Sequence, residues 1–234
     1  MAADKINQIS MSLNAGETIE DVYNNIVKTI NNNSNGLQAD YISAAFCCYR
    51  SVLSLPKGQR YKKLIEGQKW LNKAKKFGDN NFHYLLLKCK FYGFKCSESK
   101  NMLKNARRSV KIYKTFIKLE EMEPNNSEVY LIKSILNFHA AGLSYFQKML
   151  ATKLFCDAQK LIKQASYTNA ILSLKKANTK SIEVNYYLMK CYLKVKDKTS
   201  ASHYYRKIMK MTANNIYETE LMELVEKAKE ENKL

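Results

Sequence analysis

The stretch SIEVNYYLMKCYLKVKDKTSASHYYRKI, residues 181–208, decides the fold. Its apolar residues recur at steps of three and four, as one face of an α-helix requires, on both sides of the polar run Lys196-Asp197-Lys198-Thr199. Large side chains in the first half, Leu188 and Tyr192, are answered in the second by a small one, Ala201, and then by Tyr205 and Ile208. Two helices joined by so short a turn lie antiparallel, so the stretch reads as a helix hairpin.

The pattern recurs upstream. Leu86-Leu87-Lys88-Cys89-Lys90-Phe91, Leu131-Ile132-Lys133-Ser134-Ile135-Leu136 and Leu188-Met189-Lys190-Cys191-Tyr192-Leu193 align without gaps, at offsets of 45 and 57 residues. Ala44-Ala45-Phe46-Cys47-Cys48-Tyr49 is a weaker copy 42 residues before the first. A tyrosine opens the first helix of each clear copy (Tyr84, Tyr130, Tyr186), and Ala74, Ala170, Ala177 and Ala201 supply small residues where helices must approach closely. Large residues filling the space over small ones is the packing logic of a tetratricopeptide hairpin. With Leu188 at position 7, Tyr192 falls at 11, Ala201 at 20, Tyr205 at 24 and Ile208 at 27. The predicted fold class is all-α: a tetratricopeptide-like α-solenoid of stacked antiparallel helix hairpins, with a period longer and less regular than the usual 34 or so.

Short Asn- or Gly-rich breaks at 31–36, 55–59, 77–81, 122–126, 176–181 and 212–215 delimit the helices. Helices are predicted near 17–31, 37–54, 59–77, 80–95, 99–122, 126–139, 143–157, 159–177, 181–196, 197–211 and 215–232, and the residues before Gly16 could add one more. The expected organisation is an N-terminal segment, 1–16, followed by a single helical domain, 17–234. Six glutamates in 215–232 read as the polar-faced capping helix that keeps a solenoid end soluble.

Composition agrees. The 234 residues are 46% hydrophobic, enough for a core, and contain only two prolines and seven glycines, too few for the frequent turns of an all-β protein. Six cysteines without a C-x-x-C spacing argue against a zinc site or a disulfide framework and for a reducing, intracellular setting. No apolar run approaches the roughly 18–20 residues that span a bilayer, and MAADKINQIS lacks a signal-peptide pattern, so no transmembrane segment is expected. The formal charge of +18 is well beyond the magnitude of about 2–8 usual for a small soluble domain, and it points to an acidic partner.

That charge is concentrated. From Lys57 to Lys118 there are 18 Lys or Arg against three acids, Glu66, Asp79 and Glu98. Within this segment Lys100, Lys104, Arg107, Lys111, Lys114 and Lys118 recur at steps of four and three, with Arg108 alongside. On a helix these seven fall inside an arc of about 120°, and Leu103, Ala106, Val110, Tyr113, Phe116 and Ile117 take the other side. The stripe is about 27 Å long. Like charges four residues apart repel, so the face is a candidate for binding an anionic partner. A second candidate follows from the repeat register: Lys88, Lys133 and Lys190 share one position, which in tetratricopeptide proteins lines the concave groove, with Tyr84 and Tyr186 four residues earlier. Such a lysine ladder would face an acidic chain, the tyrosines packing on its side-chain stems.

Catalysis finds little support. His83, His139 and His203 fall on separate helices, Cys47-Cys48 reads as core, and no Gly-rich phosphate loop, H-E-x-x-H or G-x-S-x-G occurs. No catalytic residue, metal ligand or cofactor is expected, and the protein reads as a non-enzyme. Trp70 and the tyrosine-rich faces read as packing.

Two further stretches carry a resemblance. Gly142-Leu143-Ser144-Tyr145-Phe146 followed by Ala151-Thr152-Lys153-Leu154-Phe155, and Tyr167-Thr168-Asn169-Ala170 with Leu174-Lys175-Lys176-Ala177 and Tyr187-Leu188-Met189-Lys190-Cys191-Tyr192-Leu193-Lys194, resemble the regulator of microtubule dynamics family. Ile117-Lys118-Leu119-Glu120-Glu121-Met122-Glu123-Pro124-Asn125-Asn126 is similar to a helix end and turn of that family. The resemblance covers roughly residues 37–232 and is strongest after 117. It implies a cytosolic tetratricopeptide-like protein associated with microtubules and the mitotic spindle. It also implies that longer members carry a membrane anchor and bind phospholipid through the helical domain at organelle contacts; this chain resembles the short form. It departs from the repeat pattern in having Met189 where position 8 is usually glycine, and in its wealth of lysine.

Residues and resemblance together give two readings. In the first, the basic stripe or the groove lysines bind the acidic surface and glutamate-rich tails of tubulin and influence microtubule or spindle dynamics. In the alternative, the same basic rim attracts an anionic membrane surface and a cavity between hairpins holds phospholipid, for binding or transfer. Nucleic acid is suggested by charge alone, without a recognised motif, and is set aside.

Overall fold

The computed structural model describes residues 1–32, 37–154, 156 and 159–232; most of the Asn-rich break at 31–36, Phe155 and the last two residues lie outside the described residues. Among the described residues there are thirteen helices and no strand: α1 (Ala2–Asn14), α2 (Ile19–Asn32), α3 (Gln38–Leu53), α4 (Tyr61–Lys75), α5 (Phe82–Ser97), α6 (Met102–Met122), α7 (Ser127–Ala141), α8 (Tyr145–Leu154), α9 (Gln159–Gln164), α10 (Tyr167–Leu174), α11 (Ile182–Lys194), α12 (Lys198–Ile208) and α13 (Ile216–Asn232). They pack in adjacent pairs, as helix hairpins of an α-solenoid do. The chain divides into two compact units, Met1–Arg108 and Ser109–Leu234.

In the first unit α1 and α2 both pack on α3. Ile9, Val22 and Cys47 form the seam, and Lys5 pairs with the buried Asp40 carboxylate. The α3–α4 hairpin is the tightest pairing, and α5 lies against both of its helices. Gly67 makes that approach possible: a Cβ there would sit 2.2 Å from Cζ of Phe91, a fully buried ring held edge-on to Tyr49 at 6.4 Å. Gly67→Ala is therefore expected to lower stability by about 1–3 kcal/mol through overpacking, although alanine is the better helix former by about 1 kcal/mol. Thermal unfolding of the variant checks the sign. Gly78, at φ +108, closes α4 with its N–H on the Lys75 carbonyl (3.0 Å), a left-handed turn that a side chain would strain.

One buried ion pair ties the α3–α4 connection to the end of α5. Arg60, 2% exposed, donates through Nε to the carbonyls of Val52 (3.1 Å) and Leu55 (2.9 Å), which lie at and beyond the C-terminus of α3. Its NH1 lies 3.6 Å from Oε1 of Glu98, the C-cap residue of α5, and its guanidinium covers the Phe94 ring at 5.5 Å. Oε2 of Glu98 accepts from the Gly58 N–H at 2.8 Å.

In the second unit α7 packs mainly against α10 and also against α9; α10 then packs on α11, α11 on α12, and α13 on α11. The intervening α8 and α9 explain why the second repeat offset is 57 residues and the first 45. Phe138, Ala170, Leu174, Val184, Leu188 and Cys191 form one core cluster, and Ile182, Met189, Ala201, Ile208, Leu221 and Val225 form another. Ala74, Ala170, Ala177 and Ala201 are all buried, as the hairpin logic requires.

Helix ends depart from the sequence expectation where side chains cap. The helix expected over 159–177 breaks into α9 and α10 because the Ser166 hydroxyl accepts the Asn169 N–H (3.0 Å) and starts a new helix. The helix expected from 99 begins at Met102, since Asn101 accepts the Lys104 N–H at 2.9 Å. The residues before Gly16 do form a helix, α1.

Candidate functional site

α6 begins in a hydrogen-bonded corner. Asn105 Nδ2 donates to the carbonyls of Cys96 (3.1 Å) and Ser99 (2.7 Å), and Arg108 NH1 donates to the Lys95 carbonyl (2.6 Å) and Asn105 Oδ1 (3.1 Å). These bonds tie the start of α6 to carbonyls at and just beyond the end of α5. Farther along, Tyr113, Thr115, Phe116 and Leu119 are buried, and the rings of Tyr113 and Phe116 stack at 6.4 Å.

The opposite arc carries the basic stripe. Lys104, Arg107, Lys111, Lys114 and Lys118 are all exposed on α6. Two of the seven sequence candidates stand apart from these five. Lys100 is exposed but precedes the helix, and Arg108 is half-buried in the corner with α5. The charge order also runs against the helix dipole: the first turn has no acid, the last turn has no base, and Glu120 and Glu121 lie at the negative end. Each misplaced charge costs a few tenths of a kcal/mol or more.

The groove lysines share one environment in register but differ in their partners. Lys88, Lys133 and Lys190 are each half-buried, between buried neighbours Leu87 and Cys89, Ile132 and Ser134, Met189 and Cys191. Lys88 Nζ lies 5.5 Å over the Tyr84 ring, and Lys190 Nζ lies 5.3 Å over Tyr186 and 5.5 Å over Phe138. Tyr84 and Tyr186 are buried, so they support the lysines and are not open to a peptide stem. Lys133 is in an ion pair with Glu120 at 2.6 Å. Lys88 belongs to the first unit, Lys133 and Lys190 to the second.

Sequence reasoning missed how much of the basic segment is tied into the fold. Arg60 is buried. Lys63 lies 3.2 Å from Glu66, 3.8 Å from Glu20 and 5.0 Å over the Tyr23 ring. Lys73 covers Trp70 at 4.4 Å and Lys90 covers Tyr49 at 5.0 Å. The 16 tyrosines were the available signal, because a lysine over an aromatic face gains about 0.5–1 kcal/mol even at an exposed position. Tyr23 itself donates to Glu66 and accepts from Trp70 Nε1 at 3.0 Å; burial and the Glu66 carboxylate push its pKa up.

The remaining candidates are quiet chemically. Burial raises the Cys47 thiol to about 12 and the Cys48 thiol further, which keeps this vicinal pair protonated at neutral pH. His139 is exposed and contacts the rings of Phe138 (5.4 Å) and Tyr187 (6.3 Å). No cluster of metal-ligating side chains and no helix long and apolar enough to cross a membrane occurs among the described residues. A hollow on α4, open to solvent, is lined by Tyr61, Lys62, Ile65, Glu66 and Lys69.

The family model of regulator of microtubule dynamics proteins 1–3 matches residues 6–233, nearly the whole chain. The chain belongs to this family. No individual curated protein matches it. Membership in the regulator of microtubule dynamics family gives the chain a microtubule-related role and an association with the cytoskeleton. It also brings the helices preceding residue 37 into the match, beyond the stretch in which the resemblance was recognised.

Proposed function

We propose that this member of the family is a non-enzymatic microtubule-associated protein that binds tubulin directly through the basic face of α6, at spindle microtubules among others. The observation that supports this most is the exposed row Lys104, Arg107, Lys111, Lys114 and Lys118, uninterrupted by any acid on its arc of the helix. Tubulin presents an acidic surface, and attraction summed over several exposed cations suits a long polymer contact. Each contact is screened over about 10 Å at 0.1 M salt, so binding weakens steeply as salt rises.

The test is co-sedimentation of the triple variant Lys104→Glu, Arg107→Glu, Lys111→Glu with microtubules. All three side chains are exposed, and the first two replacements put acids toward the positive end of α6, so the thermal midpoint is expected to hold or rise. Binding is expected to drop by at least about tenfold, the equivalent of 1.4 kcal/mol. Unchanged binding by a folded triple variant would remove α6 from the interface.

A further inference from the structure

The basic arc of α6 is bordered by an apolar ridge. Leu103, Val110 and Ile117 repeat every seven residues, so they stand nearly in line and drift only about 20° per step along the helix. The line is about 21 Å long. Leu103 is 52% exposed and Ile117 37%, and Val110 between them is half-buried. Beside the ridge run two more seven-residue series, Lys104-Lys111-Lys118 and Arg107-Lys114, all exposed.

An apolar line at heptad spacing flanked by one sign of charge is one half of a helix–helix seam. A disordered acidic tail would attract the cations and leave the ridge in water. From this pairing we infer that the partner of α6 is a folded acidic amphipathic helix, with apolar residues at heptad spacing and carboxylates along one flank. The inference rests on the proposed binding face and narrows its target to an ordered helical surface of the polymer, distinct from its flexible tails.

The experiment uses the full chain, intact microtubules, and microtubules whose acidic tails have been removed by limited proteolysis. The ridge variant is Leu103→Ser with Ile117→Ser; both side chains are exposed, and circular dichroism of the variant is expected to match the wild type. The wild type is expected to bind both polymers, and the ridge variant to bind each at least about tenfold more weakly, as loss of two buried aliphatic side chains implies. A ridge variant that binds like the wild type, or a wild type that loses the polymer with the tails, would overturn the helical partner and leave the proposed function standing. A wild type that fails to bind intact microtubules would overturn both.

Discussion

Replacing Arg60 with methionine is expected to lower the unfolding free energy of the Met1–Arg108 unit by about 3–5 kcal/mol, the usual cost of breaking a buried ion pair from one side. Three losses add up. The Glu98 carboxylate, 7% exposed, keeps the Gly58 N–H but loses its counter-charge. The carbonyls of Val52 and Leu55 lose their common donor near the negative end of α3. The Phe94 ring loses the cation above it. Methionine fills much the same volume, so the cost is electrostatic and not a cavity. Arg60→Lys is expected to fall between, because a lysine keeps the charge without the fork that reaches both ends of the connection. Chemical denaturation of wild type and both variants gives the ranking, and a methionine variant as stable as wild type would show that the pair does not hold the hairpin.

Leu188→Ala is expected to cost about 2–5 kcal/mol. Leu188 is fully buried in a core cluster with Phe138, Ala170, Leu174, Val184 and Cys191, so its truncation leaves a cavity inside packed side chains. Leu131, at the same repeat position, is only half-buried, and Leu131→Ala is expected to cost clearly less. The contrast tests whether the repeat register or the local packing decides the energetics. Equal losses at the two positions would favour the register.

The hairpins were legible because packing leaves a periodic trace. Leu86 to Phe91 and Leu131 to Leu136 show the same alternation of half-buried and buried positions, with Cys89, Ser134 and Cys191 as the small buried residue in each copy. The exchange of partners by α7, which pairs with α10 across two intervening helices, has no such trace, since long-range pairing is encoded only in shape. The break at Ser166 was readable in principle: a serine followed three residues later by a residue whose N–H it accepts is a helix start, but the apolar periodicity continued through it. Charge was legible as a sum and not as a distribution. Arg60 and Arg108 counted as surface cations until their carbonyl partners placed them in the framework, and Lys63, Lys73 and Lys90 until rings and carboxylates did. The row on α6 stands out because its five cations are all exposed along one arc of a single helix.

The most direct measurement is co-sedimentation of wild type and the triple charge-reversal variant with intact microtubules, each at about 0.05 and 0.15 M salt. Binding that is tight and steeply salt-dependent for the wild type, and weak and nearly salt-independent for the variant, is the expected result. Equal binding by both proteins at both salt concentrations would contradict the claim that the basic face of α6 is what meets the polymer.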